Sequence, residues 1–235
     1  MSAEERARIQ VVAGVLVEPE GRVLIAQRPL HKHLGGRWEF PGGKLEPGEQ
    51  PVQGLTRELR EEIGVLVHEA RPLIRIQHEY ADRDVDLHVW IVTRFEGEPV
   101  GLEGQQIAWC PRQALPQADL VPADKPIVTA LRLPERIVAL EGADYSVLPS
   151  GQDFVSHRPI NARLQGALCR SPSDVAGEAV RLVSRGADFV LLPSWFGSGE
   201  TERLATSLGV PVYLSGVALD TAWRSGASGI HEIAG

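Results

Sequence analysis

Along the first half of the chain, apolar and polar positions alternate with the short period of strands. The runs "RIQVVAGVLV" and "RVLIAQR" are β-rich and are separated by Pro19 and Gly21, a hairpin-like signal. "RPLIRIQHEY" and "VDLHVWIVTRF" make a second, longer pair joined at "ADRD". In the latter, Val85, Leu87, Val89 and Ile91 alternate with Asp86, His88 and Trp90, which predicts a half-buried strand. "QQIAWC" predicts another strand, and "KPIVTALRL" a closing helix that Pro134 ends. One segment between them has a helical period. Pro51 suits its first turn, Gln50 or Glu49 its cap, and Gly64 stops it after Ile63. Leu55, Leu59 and Ile63 share one face of this helix, and Glu58, Glu61 and Glu62 share another.

Beyond Leu133 the pattern changes. Apolar runs "RLQGALC", "ADFVLLP", "VPVYLSG" and "ASGIHEI" alternate with helical stretches "SPSDVAGEAVRLVSRG", "ETERLATSLG" and "ALDTAWRSG". Strand–helix alternation predicts βα units on a parallel sheet. "EGADYSVLPS" and "RGADFVLLPS" are similar to each other and read as two such units. A boundary near Leu133–Glu135 divides the chain into residues 1–133 and 134–235.

Composition narrows the function. The 235 residues suit two domains. Lys and Arg number 24 against 31 Asp and Glu, a net charge of −7. No basic stripe is present to displace counterions, which excludes a nucleic-acid polymer as the main partner. A single nucleotide stays open, because bound cations can supply positive charge. Cys110 and Cys169 have neither metal spacing nor a disulfide framework, so they read as packed thiols of a reducing compartment. The N-terminal "MSAEERARIQVVAGVLVEPEG" mixes acids with bases and lacks the form of a signal peptide. No run approaches the ~20 apolar residues of a membrane span. A cytoplasmic protein that does not engage a membrane is expected.

The glutamate face carries the chemistry. Like charges at i, i+4 destabilise a helix by roughly 0.2–0.5 kcal/mol per pair, and a divalent cation relieves that repulsion. Mg²⁺ takes carboxylate oxygens, keeps several waters and bridges to phosphates. Directly ahead of the helix, Gly42 and Gly43 let backbone approach a ligand, and Lys44 adds an ammonium.

Gly43, Glu49, Arg57, Glu58, Leu59, Glu61, Glu62, Gly64 and Val65 together reproduce the Nudix box, and the chain resembles the Nudix hydrolases. At residue frequencies of ~7%, so many fixed positions coincide by chance on the order of once in 10¹⁰ trials. The resemblance implies an α/β/α sandwich that binds divalent metal at a diphosphate linkage. It implies Glu58 and Glu62 as principal metal ligands, Glu61 as a further ligand or water contact, and the carbonyl of Gly42 or Gly43 as a backbone ligand. Arg57 matches the family's orienting arginine, paired with Glu49. The general base is Glu58 or a carboxylate outside the box. The metal implied is Mg²⁺, with Mn²⁺ as a substitute.

The resemblance narrows to MutT-type nucleoside triphosphate pyrophosphohydrolases through "RWEFPGGK", "EGEPVGLEGQQIAW" and "LVPADKPIV". By that likeness Glu103 is a catalytic or metal-binding glutamate in a mobile loop. Arg28 and Arg83 lie near the nucleotide, and Phe40 helps form the base pocket; surface charge and core packing are their alternatives. The implied reaction converts an oxidised nucleotide such as 8-oxo-dGTP to monophosphate and pyrophosphate, serving nucleotide-pool sanitation and DNA repair. One position departs. Where the subfamily has Asn, this chain has Asp124. An ionised aspartate accepts the N7 proton of 8-oxoguanine but offers no donor to O6. Unless burial keeps Asp124 protonated, preference for that base is weakened or redirected.

From about Gly166 onward the chain resembles the later βα units of thiamine-phosphate synthase. A closed (β/α)₈ barrel needs about 200–250 residues, far more than this half holds, so a partial barrel without synthase activity is expected. Ser215, Gly216 and Ser228 are candidates for phosphate contact, with turn chemistry the blander reading. Open sheet edges invite pairing, so the partial barrel either packs on the first domain or forms a homodimer. Two other functions stand beside the leading one: hydrolysis of another diphosphate, or ligand sensing by the barrel remnant on a Nudix scaffold.

Overall fold

The computed structural model describes residues 8–142, 144–148, 154 and 162–233. Parts of the two related segments, Ala143 and Pro149–Ser150, lie outside the described residues, as do the first seven residues. The molecule is of the α/β class and comprises two compact units. One holds Met1–Arg71 and Arg75–Lys125, the other Pro72–Ile74 and Pro126–Gly235.

The first unit is built on two sheets. Strands β1 (Arg8–Leu16), β4 (Gly42–Lys44), β5 (Leu66–Glu79) and β6 (Asp84–Glu96) form one, in the order β4-β1-β6-β5. Strands β2 (Val23–Gln27), β3 (Trp38–Glu39) and β7 (Ile107–Cys110) form the other, in the order β3-β2-β7. β1 runs parallel to β6 from Arg8↔Asp84 to Leu16↔Val92 and antiparallel to β4. The expected hairpin between β1 and β2 survives only as a bridge, Val17↔Val23, after which the strands enter different sheets. Both strands are buried over most of their length, so each needs neighbours that one two-stranded ribbon cannot supply.

Helix α1 (Pro51–Ile63) has the bounds its punctuation predicts. Gly64 ends it in the left-handed region at φ 73°, where a side chain would be strained. Leu55, Leu59 and Ile63 are fully buried against Val12, Leu16, Leu24 and Val92. Each such side chain stabilises the fold by about 1.5–3 kcal/mol. Close approach depends on Gly14, where a Cβ would stand 2.8 Å from Leu59 Cδ1. The pattern expected for β6 needs one correction. Asp86 is buried, because Arg75 Nε and Nη2 (2.9 and 2.6 Å) and Gln10 Nε2 (3.1 Å) donate to its carboxylate. "WEFPGGK", expected as loop, contains the short strands β3 and β4.

The second unit is a curled parallel sheet, a half-barrel. Strands β8 (Arg136–Ile137), β9 (Tyr145–Leu148), β10 (Leu164–Leu168), β11 (Phe189–Leu192), β12 (Val212–Ser215) and β13 (Gly229–His231) take the order β8-β13-β12-β11-β10-β9. Helices α3 (Val175–Ser184), α4 (Ser198–Leu208) and α5 (Leu219–Arg224) connect successive strands, and α2 (Lys125–Arg132) precedes β8. Val190, Leu192, Val212 and Leu214 belong to one apolar cluster, and Phe189, Leu191 and Tyr213 to another, as alternation along a doubly buried strand requires. The edge at β9 is covered: Val147 N donates to Leu140 O and Gly142 N to Tyr145 O. The candidate phosphate contact of Ser215, Gly216 and Ser228, for which turn chemistry is the other reading, is not assembled. Ser215 pairs with His231, whereas Ser228 N bonds Val212 O, so the two serines sit at opposite ends of neighbouring strands.

Candidate active site

The candidate metal, catalytic and nucleotide-binding residues lie in the first unit, and most of them surround one cavity of about 510 Å³. Its ends differ in chemistry. At one end α1 presents its glutamates to β4, where Gly42 and Gly43 let the chain pass close. A Cβ on Gly43 would stand 2.2 Å from Glu58 Oε2, so that carboxylate lies directly over bare backbone. Gly42 N donates to Glu62 Oε2 at 2.7 Å. Burial pushes the Glu62 carboxyl up to about 7, against the lowering effect of that amide. Glu61 is more exposed and meets Arg57 Nη1 at 3.3 Å.

Arg57 ties this end together. Its Nε and Nη2 donate to Glu49 at 2.9 and 2.8 Å, its Nη1 to Glu58 Oε1 at 2.8 Å, and its Nη2 also to Lys44 O at 3.0 Å. Glu49 further accepts from Glu46 N, and its carboxyl is held down at about 2, first by Arg57 and then by that amide. One guanidinium thus fixes the loop before α1 to the helix and aims Glu58. Arg57→Ala should reduce kcat/KM by about 10- to 100-fold, and Arg57→Lys should recover little of it, because an ammonium cannot span both carboxylates. Steady-state kinetics of the two variants checks this.

At the other end lie Phe40 and Asp124, both buried. Phe40 N donates to Asp124 Oδ2 at 2.9 Å. Burial pushes the Asp124 carboxyl up to about 8, with the nearby Glu39 charge acting in the same sense. That shift favours the neutral acid near pH 7. Glu39 is also raised by burial, partly offset by its ion pair with Arg28. Arg28 Nε is anchored on His33 O at 2.8 Å. Arg83 lines the cavity and is paired with Asp82. Glu103 stands at the mouth, where Lys32 Nζ meets it at 2.9 Å.

Sequence reasoning passed over Glu39, Lys32, Tyr80 and Gln105. Glu39 was within reach, as the residue before Phe40 in "WEFPGGK". Tyr80 packs edge-on against His78, two residues before it, and against His33, from a loop far away in sequence. Gln105 Nε2 donates to Glu62 O at 3.0 Å while its Oε1 accepts from Glu103 N at 2.9 Å.

The donors suit a hard divalent cation. They are carboxylate oxygens, and the bare backbone of Gly43 lets the Glu58 carboxylate lie where any side chain would collide with it. Among the described residues, no three acidic, His or Cys side chains are drawn together into a coordination shell. Glu58 is turned to Arg57 and Glu62 to the Gly42 amide. The magnesium expectation therefore rests on donor chemistry.

The 8-oxo-dGTP diphosphatase of Escherichia coli K12 is 35% identical over 125 residues, which cover 53% of this chain and 97% of that protein. The CTP pyrophosphohydrolase of the same strain is 43% identical over 123 residues, covering 52% and 90% respectively. A solved MutT structure, from work on Aliivibrio salmonicida and Vibrio cholerae, is 37% identical with a TM-score of 0.47, covering 53% of this chain and 97% of that one. No helix among the described residues is long and apolar enough to cross a membrane. Residues 12–130 match the NUDIX domain, and the chain belongs to that family.

Proposed function

We propose that the protein is a divalent-metal-dependent nucleoside triphosphate pyrophosphohydrolase, with Mg²⁺ as its metal and Mn²⁺ as a substitute. Water and a nucleoside triphosphate give the monophosphate, pyrophosphate and a proton. The observation that carries this reading is one cavity with a carboxylate-and-glycine floor at one end and a buried polar pocket, Phe40 and Asp124, at the other. When bound, the metal supplies Lewis-acid polarisation and neutralises phosphate oxygens. Glu58, Glu61, Glu62, Glu103 and the Gly42–Gly43 backbone would hold it, while Arg57 and Glu49 keep Glu58 in register. Glu58 or Glu103 takes the proton of the attacking water, and Lys44, Arg28 and Arg83 attract the polyphosphate. Hydrolysis in ¹⁸O-labelled water tests the route: label in pyrophosphate fits attack at the β phosphorus, and label only in the monophosphate contradicts it.

For the base, the leading reading is an oxidised purine such as 8-oxo-dGTP. A neutral Asp124 has an O–H for O6 and an oxygen for N7–H, so burial restores what an asparagine would offer. The sign follows from the raised carboxyl. Below about pH 8 Asp124 keeps its proton and the donor, and above it the donor is lost. Selectivity for 8-oxo-dGTP over dGTP should therefore fall about 10-fold between pH 7 and 9.5, and Asp124→Asn should lose that component. Parallel kcat/KM profiles of the two enzymes decide it. An unchanged ratio in wild type removes Asp124 from base recognition.

A second reading is favoured by the acid pair. Glu39 and Asp124 together could accept from the amino group of cytosine and donate to its ring nitrogen, in keeping with the relative named CTP pyrophosphohydrolase. CTP assayed beside 8-oxo-dGTP separates the two.

Residues 134–235 are read as a partial barrel akin to thiamine-phosphate synthase but without its reaction. Thiamine phosphate formed from its two precursors by the pure protein would overturn that.

A further inference from the structure

The mouth of the cavity is closed by a contact that the box does not contain. Lys32 sits in the loop between β2 and β3, which backbone and side-chain bonds hold at several points: Lys32 N to Pro29 O, Gly35 N to Lys32 O, Gly36 N to Arg28 O, and Gln27 Nε2 to Gly36 O. The ammonium is thereby presented from a fixed frame. Glu103 comes from the opposite side, in a loop fastened to the end of α1 by Leu102 N to Glu62 O and by the Gln105 amide. Nζ and Oε2 meet at 2.9 Å, with the side chains 45% and 52% exposed. A half-exposed pair of this kind is held weakly and exchanges readily. Both groups also act on the acids deeper in the cavity. Beside the burial that raises Glu39 and Glu62, Lys32 lowers and Glu103 raises both.

We propose that Lys32 is a positioning residue that pairs with Glu103 and competes with the divalent cation for it. It acts as an internal competitor: the glutamate is kept over the cavity, ordered and charge-neutralised, until the metal takes it. The inference rests on reading the acidic end as a metal site.

The test is Mn²⁺ binding by calorimetry, without nucleotide, to the full chain as wild type, Lys32→Met, Glu103→Gln and the double variant. Lys32→Met should bind Mn²⁺ about three- to fivefold more tightly than wild type. Glu103→Gln should bind more weakly. In the Glu103→Gln background, Lys32→Met should change affinity by less than about twofold, because the contact is already absent. Lys32→Arg keeps the charge and should match wild type. Unchanged or weaker binding in Lys32→Met overturns the proposal. So does an equal gain in both backgrounds, which would mean a diffuse field instead of a specific exchange. A wild type that binds no Mn²⁺ overturns the metal reading and this inference together, whereas Mn²⁺ binding indifferent to Lys32 overturns this inference alone.

Discussion

Glu58→Gln should lower kcat by about 10²–10⁴-fold while leaving nucleotide affinity within a fewfold of wild type. The amide has nearly the same volume and can still accept from Arg57 Nη1, so the bond at 2.8 Å and the loop it holds can persist. What disappears is the negative charge above Gly43, where the carboxylate oxygens lie too close for any side chain to intervene. Single-turnover rates with Mg²⁺, set beside calorimetric nucleotide binding, separate the two effects. A rate within tenfold of wild type would remove Glu58 from the reaction and favour a ligand-sensing scaffold.

The other large effect is expected at Gly42. A Cβ there would lie 2.1 Å from Val12 O and 2.9 Å from Ala13 Cα, with the backbone at φ 155°. Both obstacles are main chain of β1, which pairs with β4 through Ala13↔Gly42, so no rotamer change relieves them. Gly42→Ala should cost about 3 kcal/mol, a fall in Tm on the order of 10 °C. It should also displace the amide that Glu62 accepts from. Gly48→Ala is the control. Gly48 has φ 80° and nothing within 4 Å of a Cβ, so only the left-handed penalty of about 1–2 kcal/mol applies. Thermal unfolding of both variants measures the difference, and equal Tm losses would show that the β1 backbone yields.

How legible these features were depended on how local their causes are. Helix α1 was readable to the residue because Pro51, the Leu55–Leu59–Ile63 stripe and Gly64 each act within a turn. The alternation of strands and helices after Leu133 was equally plain, since βα units repeat one local pattern. Sheet membership was not. Val17↔Val23 looks like a hairpin in sequence, yet β1 finds its partner in β6, across α1 and β5. The box residues around Arg57 were named through the resemblance to the Nudix box, not through local helix signals. Glu39, Lys32 and Gln105 were not, because each matters through a partner on another loop: Arg28, Glu103 and Glu62. The sequence leaves open whether Asp124 keeps its proton. Burial sets it, and burial belongs to the assembled fold.

The strand order of the second unit also dictates a sequence of events during synthesis. β13, the last described strand, inserts between β12 and β8, so β8 has no strand partner until Gly229–His231 leaves the ribosome. Until then Ile137, fully buried in the finished molecule, faces solvent on a nascent chain. The strands of the first unit, by contrast, have all emerged once β7 is made. The chain thus matures in two steps of unequal exposure. The later step, a non-local parallel pairing, is intrinsically slow and is the one a holdase chaperone would need to cover.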